Sequence, residues 1–310
     1  MSKKNNMISI IFSFKNESEN ILELIDRTVA TMNKINSNYE IIFVDDHSTD
    51  YSKKLILDLS SKNKKIKYIL MSRTFGTAPC VLAGMHHSKG EYLVYLDSDL
   101  QDPPEIIEKM YNEMLDGFEV VHTKRKVRKG ENFFKLFLTK IAYFLLNKTL
   151  NIKLQKNSGD FKMITKNVAK RILDLKEKNP FLRGLPSFVG AKETVVFYER
   201  HKRKKGESKF PLLSSANPYK EFFRAITSFS SFPIYLILLS GLAMFFIFFV
   251  FIFNSLLSNN IDENYLVLII LFLFSVTQTS LGFIGLYIER LLTNTSNRPE
   301  YIISEKIGFE

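Results

Sequence analysis

Hydrophobic and polar positions alternate in blocks along the first 125 residues, and the blocks predict strands and helices in turn. Met7 to Phe14 is an apolar run of strand length, followed by the polar Lys15-Asn16-Glu17-Ser18. Ile21, Leu22, Leu24, Ile25, Val29 and Met32 then recur at helical spacing. Glu40 to Val44 predicts a second strand, ending in Asp45-Asp46-His47-Ser48-Thr49-Asp50, which caps a helix through Leu57. Ile66 to Met71 predicts a third strand and Ala78 to His87 a short helix. Tyr92 to Leu96 predicts a buried fourth strand that runs straight into Asp97-Ser98-Asp99-Leu100-Gln101-Asp102. Pro103-Pro104 opens the next helix, with Asp102 as its cap and Ile106, Ile107, Met110 and Met114 on one face. Phe118 to His122 is a fifth strand, and Thr194 to Tyr198 a later one. Strands alternating with helices over this distance argue an α/β fold, with a mostly parallel sheet covered on both faces.

Beyond Phe232 the pattern changes. Pro233 to Leu257 and Tyr265 to Ile288 are almost wholly apolar and have no polar face. Each exceeds the roughly 20 residues that cross a bilayer, so the pattern predicts a two-helix transmembrane hairpin. Its connector, residues 258–264, carries no Lys or Arg, whereas Lys220 and Arg224 precede the first span and Arg290 and Arg298 follow the second. The positive-inside rule places both ends of the hairpin in the cytoplasm. Glu131 to Leu150 predicts a helix with Phe133, Phe134, Phe137, Ile141, Phe144 and Leu145 beside Lys135, Lys140 and Lys148. Such a helix suits either the surface of an anionic leaflet or a core flanked by snorkelling lysines. Residues 219–226 form a second amphipathic stretch directly before the first span. The expected organisation is a cytoplasmic domain over 1–212 and a juxtamembrane helix over 213–232. A membrane hairpin over 233–292 and a cytoplasmic tail over 293–310 complete it.

Composition narrows the partners. The 310 residues carry a net charge of +11, which calls for an anionic partner: nucleic acid, a membrane face or a phosphorylated substrate. A basic run from Arg200 to Lys209 lies ahead of the apolar segments, where it would attract lipid headgroups or a lipid phosphate. No aromatic-interleaved surface accompanies it, so nucleic acid is not expected. A single cysteine, Cys80, excludes an internal disulfide and a Cys-based zinc site. His47, His86, His87, His122 and His201 show no metal-ligand spacing, and the amino terminus shows no signal-peptide pattern. None of the 13 glycines lies two residues from another, so Gly-x-Gly-x-x-Gly is absent, and no P-loop occurs.

A bound nucleotide would therefore be held by strand-end carboxylates and a metal. Asp97 and Asp99 stand at the carboxyl end of a strand, where open α/β sheets place ligands. With Gln101 they form an oxygen-only set suited to Mg²⁺ or Mn²⁺, a cation that takes further ligands from a diphosphate. Asp-x-Asp alone is equally consistent with a solvated turn capping a helix.

Six segments together give the pattern a family. They are Val44 to Asp50, Ser72-Arg73-Thr74-Phe75-Gly76, Leu96 to Glu105, Ser158-Gly159-Asp160-Phe161, Phe181-Leu182-Arg183-Gly184 and Gly206-Glu207-Ser208-Lys209-Phe210. In this order and spacing the chain resembles the polyprenyl-phosphate glycosyltransferases. These are family-2 enzymes of GT-A, Rossmann-like fold, akin to the bactoprenol glucosyltransferases and dolichol-phosphate mannose synthase. The resemblance implies that Asn16, Glu17, Asp45 and Asp46 line the nucleotide's base and ribose, with Arg73 in the same donor site. It implies Asp97, Asp99 and Gln101 on the metal, and Arg125, Arg183, Arg203 and Lys209 on the lipid phosphate or the donor diphosphate. Asp160 would stand beside the acceptor as base or orienting group. Two departures touch the donor site: Ser13-Phe14-Lys15-Asn16-Glu17 stands where the family has Pro-x-Tyr-Asn-Glu, and Thr74 stands where it has Asn. The implied reaction is inverting, metal-dependent transfer from UDP-glucose or a UDP-N-acetylhexosamine to undecaprenyl phosphate at the inner membrane, by a self-associating enzyme. GDP-mannose as donor, and a membrane-anchored non-catalytic binding protein, are the alternatives. A processive synthase using Gln-x-x-Arg-Trp is excluded, because the chain contains no tryptophan.

Overall fold

The structure, a computed structural model, describes residues 6–125, 158–175, 181–199, 263–295 and 298–309, with isolated positions between 239 and 253. Eight strands form one mixed sheet: β1 (Ile8–Phe14), β2 (Tyr39–Asp45), β3 (Ile66–Met71), β4 (Tyr92–Asp97), β5 (Val120–Arg125), β6 (Ser158–Thr165), β7 (Glu193–Tyr198) and β8 (Ile303–Ile307). Their order is β7-β5-β6-β4-β1-β2-β3-β8. The block β4-β1-β2-β3 is parallel throughout, which aligns the carboxyl ends of all four strands along one edge. These strands are covered on both faces and read as continuous apolar runs, as buried parallel strands do.

Helices α1 (Ile21–Ile35), α2 (Ser52–Lys62) and α4 (Ile106–Leu115) cover one face through Ile21, Leu24, Ile56, Ile107 and Met110. Helices α3 (Thr77–His87), α5 (Lys166–Asp174) and α6 (Leu185–Phe188) cover the other through Cys80, Met85, Val168, Ile172 and Leu185. The α/β fold with a mostly parallel sheet is as the sequence pattern predicts.

Four details differ from expectation. Asp102 does not cap α4, whose first turn follows Glu105; its buried carboxylate instead accepts a hydrogen bond from the Tyr198 hydroxyl and ties the loop after β4 to β7. The fifth strand starts at Val120 and runs on to Arg125, into the basic segment. The segment around Asp160 is a strand, β6, inserted antiparallel between β4 and β5. The expected carboxyl-terminal tail supplies β8, an edge strand antiparallel to β3 and held by the Lys53–Glu305 ion pair at 2.8 Å.

The amphipathic helices expected over 131–150 and 213–232 lie outside the described residues, and the first expected span, 233–257, does so almost entirely. The second span falls within α7 (Glu263–Thr295), 33 residues long. Taken over the described residues alone, no helix is long and apolar enough to cross a membrane, so the hairpin is not established by the structure.

At the amino-terminal edge of the sheet, Glu40 is fully buried and accepts hydrogen bonds from Ser9 Oγ, Lys67 Nζ and the Lys89 amide. Burial alone would raise its carboxyl, but the bonds from Lys67, Ser9 and Lys89 outweigh it and hold the group below the ordinary 4.5. A carboxyl lowered in the folded state contributes stability that is complete above its unfolded value and is lost as pH falls through its folded one. Glu40→Gln leaves the Lys67 ammonium buried without its charge partner and should cost about 3 kcal/mol. Thermal unfolding between pH 3 and 7 should show the wild type losing its advantage over the variant only on the acid side.

Candidate active site at the carboxyl edge of the sheet

Three loops converge at the carboxyl ends of the parallel strands. Asn16, just after β1, adopts a left-handed backbone (φ 56°) that its short amide side chain tolerates. Its amide N–H donates to Ser48 Oγ at 2.9 Å, and its Oδ1 accepts from the Thr49 amide at 2.8 Å. Glu17 is buried and accepts from Asn20 Nδ2 at 2.7 Å. Asp50 accepts from the amides of Ser18 and Ser52; burial would raise its carboxyl, but these bonds hold it below the usual range. The loop after β1 is thereby stitched to the loop after β2.

Asp45 and Asp46 are used internally. Asp45 is fully enclosed, with Oδ1 accepting from the Ser48 amide at 2.7 Å and Oδ2 from the Tyr68 hydroxyl at 2.8 Å. Asp46 accepts from the amides of Phe75 (2.6 Å) and Gly76 (3.0 Å), binding the loop after β3 to the loop after β2. Both residues shape the pocket expected for the nucleotide, through the loops they fasten. Burial, with Asp46 alongside, pushes the Cys80 thiol well up, so it stays protonated beneath this pocket. Arg73 is exposed and stacks on the Phe75 ring at 4.1 Å. The two departures from the family pattern meet here: Lys15 Nζ donates to Thr74 Oγ1 at 2.7 Å.

Beside this pocket β4 delivers Asp97 at its last position and Asp99 two residues later. Between and beyond them Ser98 and Leu100 are buried, and Leu100 takes a left-handed backbone (φ 56°) to keep its side chain in the core. A leucine held there stores about 1 kcal/mol or more of strain, which the packing of the loop offsets. Asp99 Oδ1 accepts from the Gln101 amide at 3.1 Å. Among the described residues no group of three or more His, Cys, Asp and Glu converges, and the set expected from the sequence, Asp97, Asp99 and Gln101, contains only two carboxylates. Two buried hydroxyls, Ser98 Oγ and Ser13 Oγ, have no hydrogen-bond partner among the described residues, and Ser13 is directly opposite Asp97 in the β1–β4 register. The set fits a hard cation that keeps several waters and completes its shell on phosphates.

The third part comes from β6. Its register pairs Lys162 with Tyr95, so Asp160, two residues before Lys162, lies toward the same sheet edge as Asp97, two residues after Tyr95. Arg183, in the turn before α6, grips Asp160 with both arms of its guanidinium, at 2.8 Å each. That turn is anchored by Leu182 and Leu185, both buried in the core. Lys162 is wholly buried, and its Nζ donates to the Arg183 carbonyl at 2.9 Å. Burial lowers the ammonium's pKa to about 8 from 10.5; Arg183 adds to the lowering, while Asp160 and Glu193 oppose it. The sequence pattern assigns no role to Lys162 or Tyr95 and no strand to β6. A lysine two residues after an aspartate is an ordinary surface pattern until the strand's burial is known. The backbone of Arg125 ends β5, while Arg203 and Lys209 lie outside the described residues.

Strand-end carboxylates on a mixed sheet with a parallel centre are the arrangement of a GT-A-like α/β domain. Residues 9–173 match the Glycosyl transferase family 2 domain, and the chain belongs to that family of enzymes. It is 37% identical to the uncharacterized glycosyltransferase YkcC of Bacillus subtilis, over 97% of this chain and 94% of that one. It is 32% identical to the bactoprenol glucosyl transferase of Shigella phage SfII, over 96% and 97% of the two chains. Among solved structures, Staphylococcus aureus TarS residues 1–349 in complex with UDP-GlcNAc superposes with a TM-score of 0.48 at 19% identity. That superposition covers 72% of this chain and 66% of that one.

Between about pH 8 and 10.5 the folded protein binds fewer protons at Lys162 than the unfolded chain, so stability should rise with pH across that window. The gain should be on the order of 3 kcal/mol. Lys162→Met should flatten this rise and be at least as stable as wild type at pH 7. Thermal unfolding across pH 7 to 10 checks both.

Proposed function

We propose that the chain transfers a hexose from a nucleoside diphosphate sugar, UDP-glucose or a UDP-N-acetylhexosamine, to a polyprenyl phosphate at the cytoplasmic face of a membrane. The observation that carries this reading is the adjacency of opposite chemistries: a carboxylate pair at the end of β4, and an arginine held against the start of β6. The first suits a cation on a diphosphate, and the second suits an anionic acceptor. Similarity to bactoprenol glucosyl transferases from end to end supports an acceptor of that class.

Asp97, Asp99 and Gln101 would hold Mg²⁺ or Mn²⁺, which neutralises the charge building on the departing diphosphate. The acceptor's phosphate is mostly dianionic near neutral pH, its second pKa being about 6, and needs no strong base. One of its oxygens bonds to the anomeric carbon as the bond to the diphosphate breaks. No proton has to move, and attack opposite the leaving group inverts the centre. Arg183 positions the acceptor phosphate, and Asp160 orients this cationic group. Asn16, Glu17 and Arg73 border the donor, in a pocket that Asp45 and Asp46 hold open.

The membrane attachment belongs to the same reading. Tyr265 to Ile288 carries no charge, and Leu266, Ile270, Phe272, Phe274, Leu281 and Ile288 are exposed on α7. Exposed apolar side chains in such number suit a lipid environment. With Pro233 to Leu257 they would form a hairpin, which returns the chain to β8 on the side from which it left. Self-association through the membrane-proximal helices is part of the proposal.

Purified full-length protein incubated with undecaprenyl phosphate, Mg²⁺ and labelled UDP-glucose, UDP-GlcNAc, UDP-GalNAc or GDP-mannose should move label into the lipid fraction from one UDP-sugar. Label from GDP-mannose alone would replace the donor assignment, and none from any donor would overturn the reading. Chelation by EDTA should abolish transfer and Mn²⁺ or Mg²⁺ restore it. Asp99→Asn should lower turnover by about a hundredfold or more with the melting temperature unchanged.

A further inference from the structure

The transfer just described leaves one buried charge without a role. Lys162 is directly opposed by Tyr95 on β4 and by His122 on β5, so the three side chains form a row across one sheet face. Tyr95 and His122 are themselves buried, and Glu193 closes the row from β7 with an oxygen 3.2 Å from His122 Nε2. The Tyr95 hydroxyl has no hydrogen-bond partner among the described residues, and burial lowers the His122 pKa, which Lys162 lowers further. The charges facing the Lys162 amine are therefore Asp160 on its own strand, Arg183 from the turn above it and Glu193 from β7. An ammonium in such a place costs stability, and an apolar side chain of similar volume commonly does better. What the lysine offers in return is a positive charge that cannot move.

Arg183 by contrast is open to solvent. Its side chain is 45% exposed, and a guanidinium fork fits a phosphate as well as the carboxylate it now holds. Acceptor phosphate and Asp160 therefore compete for the same two-armed grip. If Arg183 turned to the phosphate with nothing else nearby, Asp160 would lose two charge-assisted hydrogen bonds beside a group carrying about −1.5 to −2. We propose that Lys162 is the standing counter-ion of Asp160, and that its fixed charge lets Arg183 leave that carboxylate for the acceptor's phosphate. The bond from Lys162 Nζ to the Arg183 carbonyl serves the same end, since it holds the main chain of Arg183 while the side chain turns. Lys162 is a positioning residue, acting through Asp160 and Arg183 and touching neither substrate. The inference rests on the phosphate acceptor proposed above.

Equilibrium binding of farnesyl phosphate to the full-length protein in detergent, with UDP binding and melting temperature measured alongside, separates the cases. Lys162→Met should weaken farnesyl phosphate binding about tenfold, because Asp160 then keeps its arginine, while UDP binding and melting temperature hold. Asp160→Asn should tighten it, and adding Lys162→Met to Asp160→Asn should change it by less than about threefold. Equal losses from Lys162→Met in both backgrounds would mean a general effect on the fold and would overturn the proposal. So would wild-type binding by Lys162→Met. Should Lys162→Met not fold, Asp160→Asn alone decides: unchanged or weaker binding refutes the competition for Arg183. Inorganic phosphate as a second probe should follow the same pattern more weakly, which assigns the effect to the phosphate group. Wild-type protein that binds UDP but neither phosphate probe would instead count against the acceptor reading.

Discussion

The insertion of β6 between β4 and β5 is the constraint on which the rest of this molecule depends. Parallel strands β4, β1, β2 and β3 by themselves bring the loops after β1, β2 and β3 and the Asp97–Asp99 turn to one edge, where open α/β sheets place their ligands. An antiparallel β6 reverses the polarity beside β4, so that the start of one strand meets the end of the other. Asp160 reaches the edge where β4 ends for that reason, and it brings Arg183 with it. Had β6 run parallel, its first residues would lie at the opposite edge.

The carboxylates at this edge divide into two kinds. Asp45, Asp46, Asp50 and Asp102 accept hydrogen bonds from main-chain amides or buried hydroxyls and act as fasteners between loops. Asp97, Asp99 and Asp160 stand where a ligand can approach. The division explains how a cluster with so many like charges is tolerated. Fasteners have their charge spread over N–H and O–H donors, and Asp160 has its charge met by Arg183. Lys15 and Thr74 belong to the fastening set too, because their hydrogen bond joins the loop after β1 to the loop after β3.

The parallel half of the sheet was legible because buried parallel strands are uninterrupted apolar runs broken by turn residues, as in Ile8–Phe14 and Ile66–Met71. β6 was not, for a physical reason: Ser158, Gly159, Asp160 and Lys162 give it the composition of a loop, although Lys162 is wholly buried. β8 was missed because an edge strand exposed at every second residue, Ile-Ser-Glu-Lys-Ile, carries too short an alternation to stand out. Asp102 was assigned as a cap because Asp before Pro-Pro fits that role locally. Tyr198, 96 residues away, claims the carboxylate instead. Local pattern identified the carboxylate pair at Asp97 and Asp99, but only the tertiary structure reveals that Arg183 grips Asp160.

The return of the chain to β8 constrains the apolar carboxyl-terminal third. The Ser72 amide donates to the Ile302 carbonyl at 2.9 Å, and Tyr301 and Phe309 pack against the core that holds α3. Residues on either side of the apolar segment are thus parts of one sheet, β7 at one edge and β8 at the other. Whatever path the chain takes between Glu199 and Arg298, it starts and finishes on the same body. β8 borders β3, whose carboxyl end leads into the Arg73 to Gly76 loop.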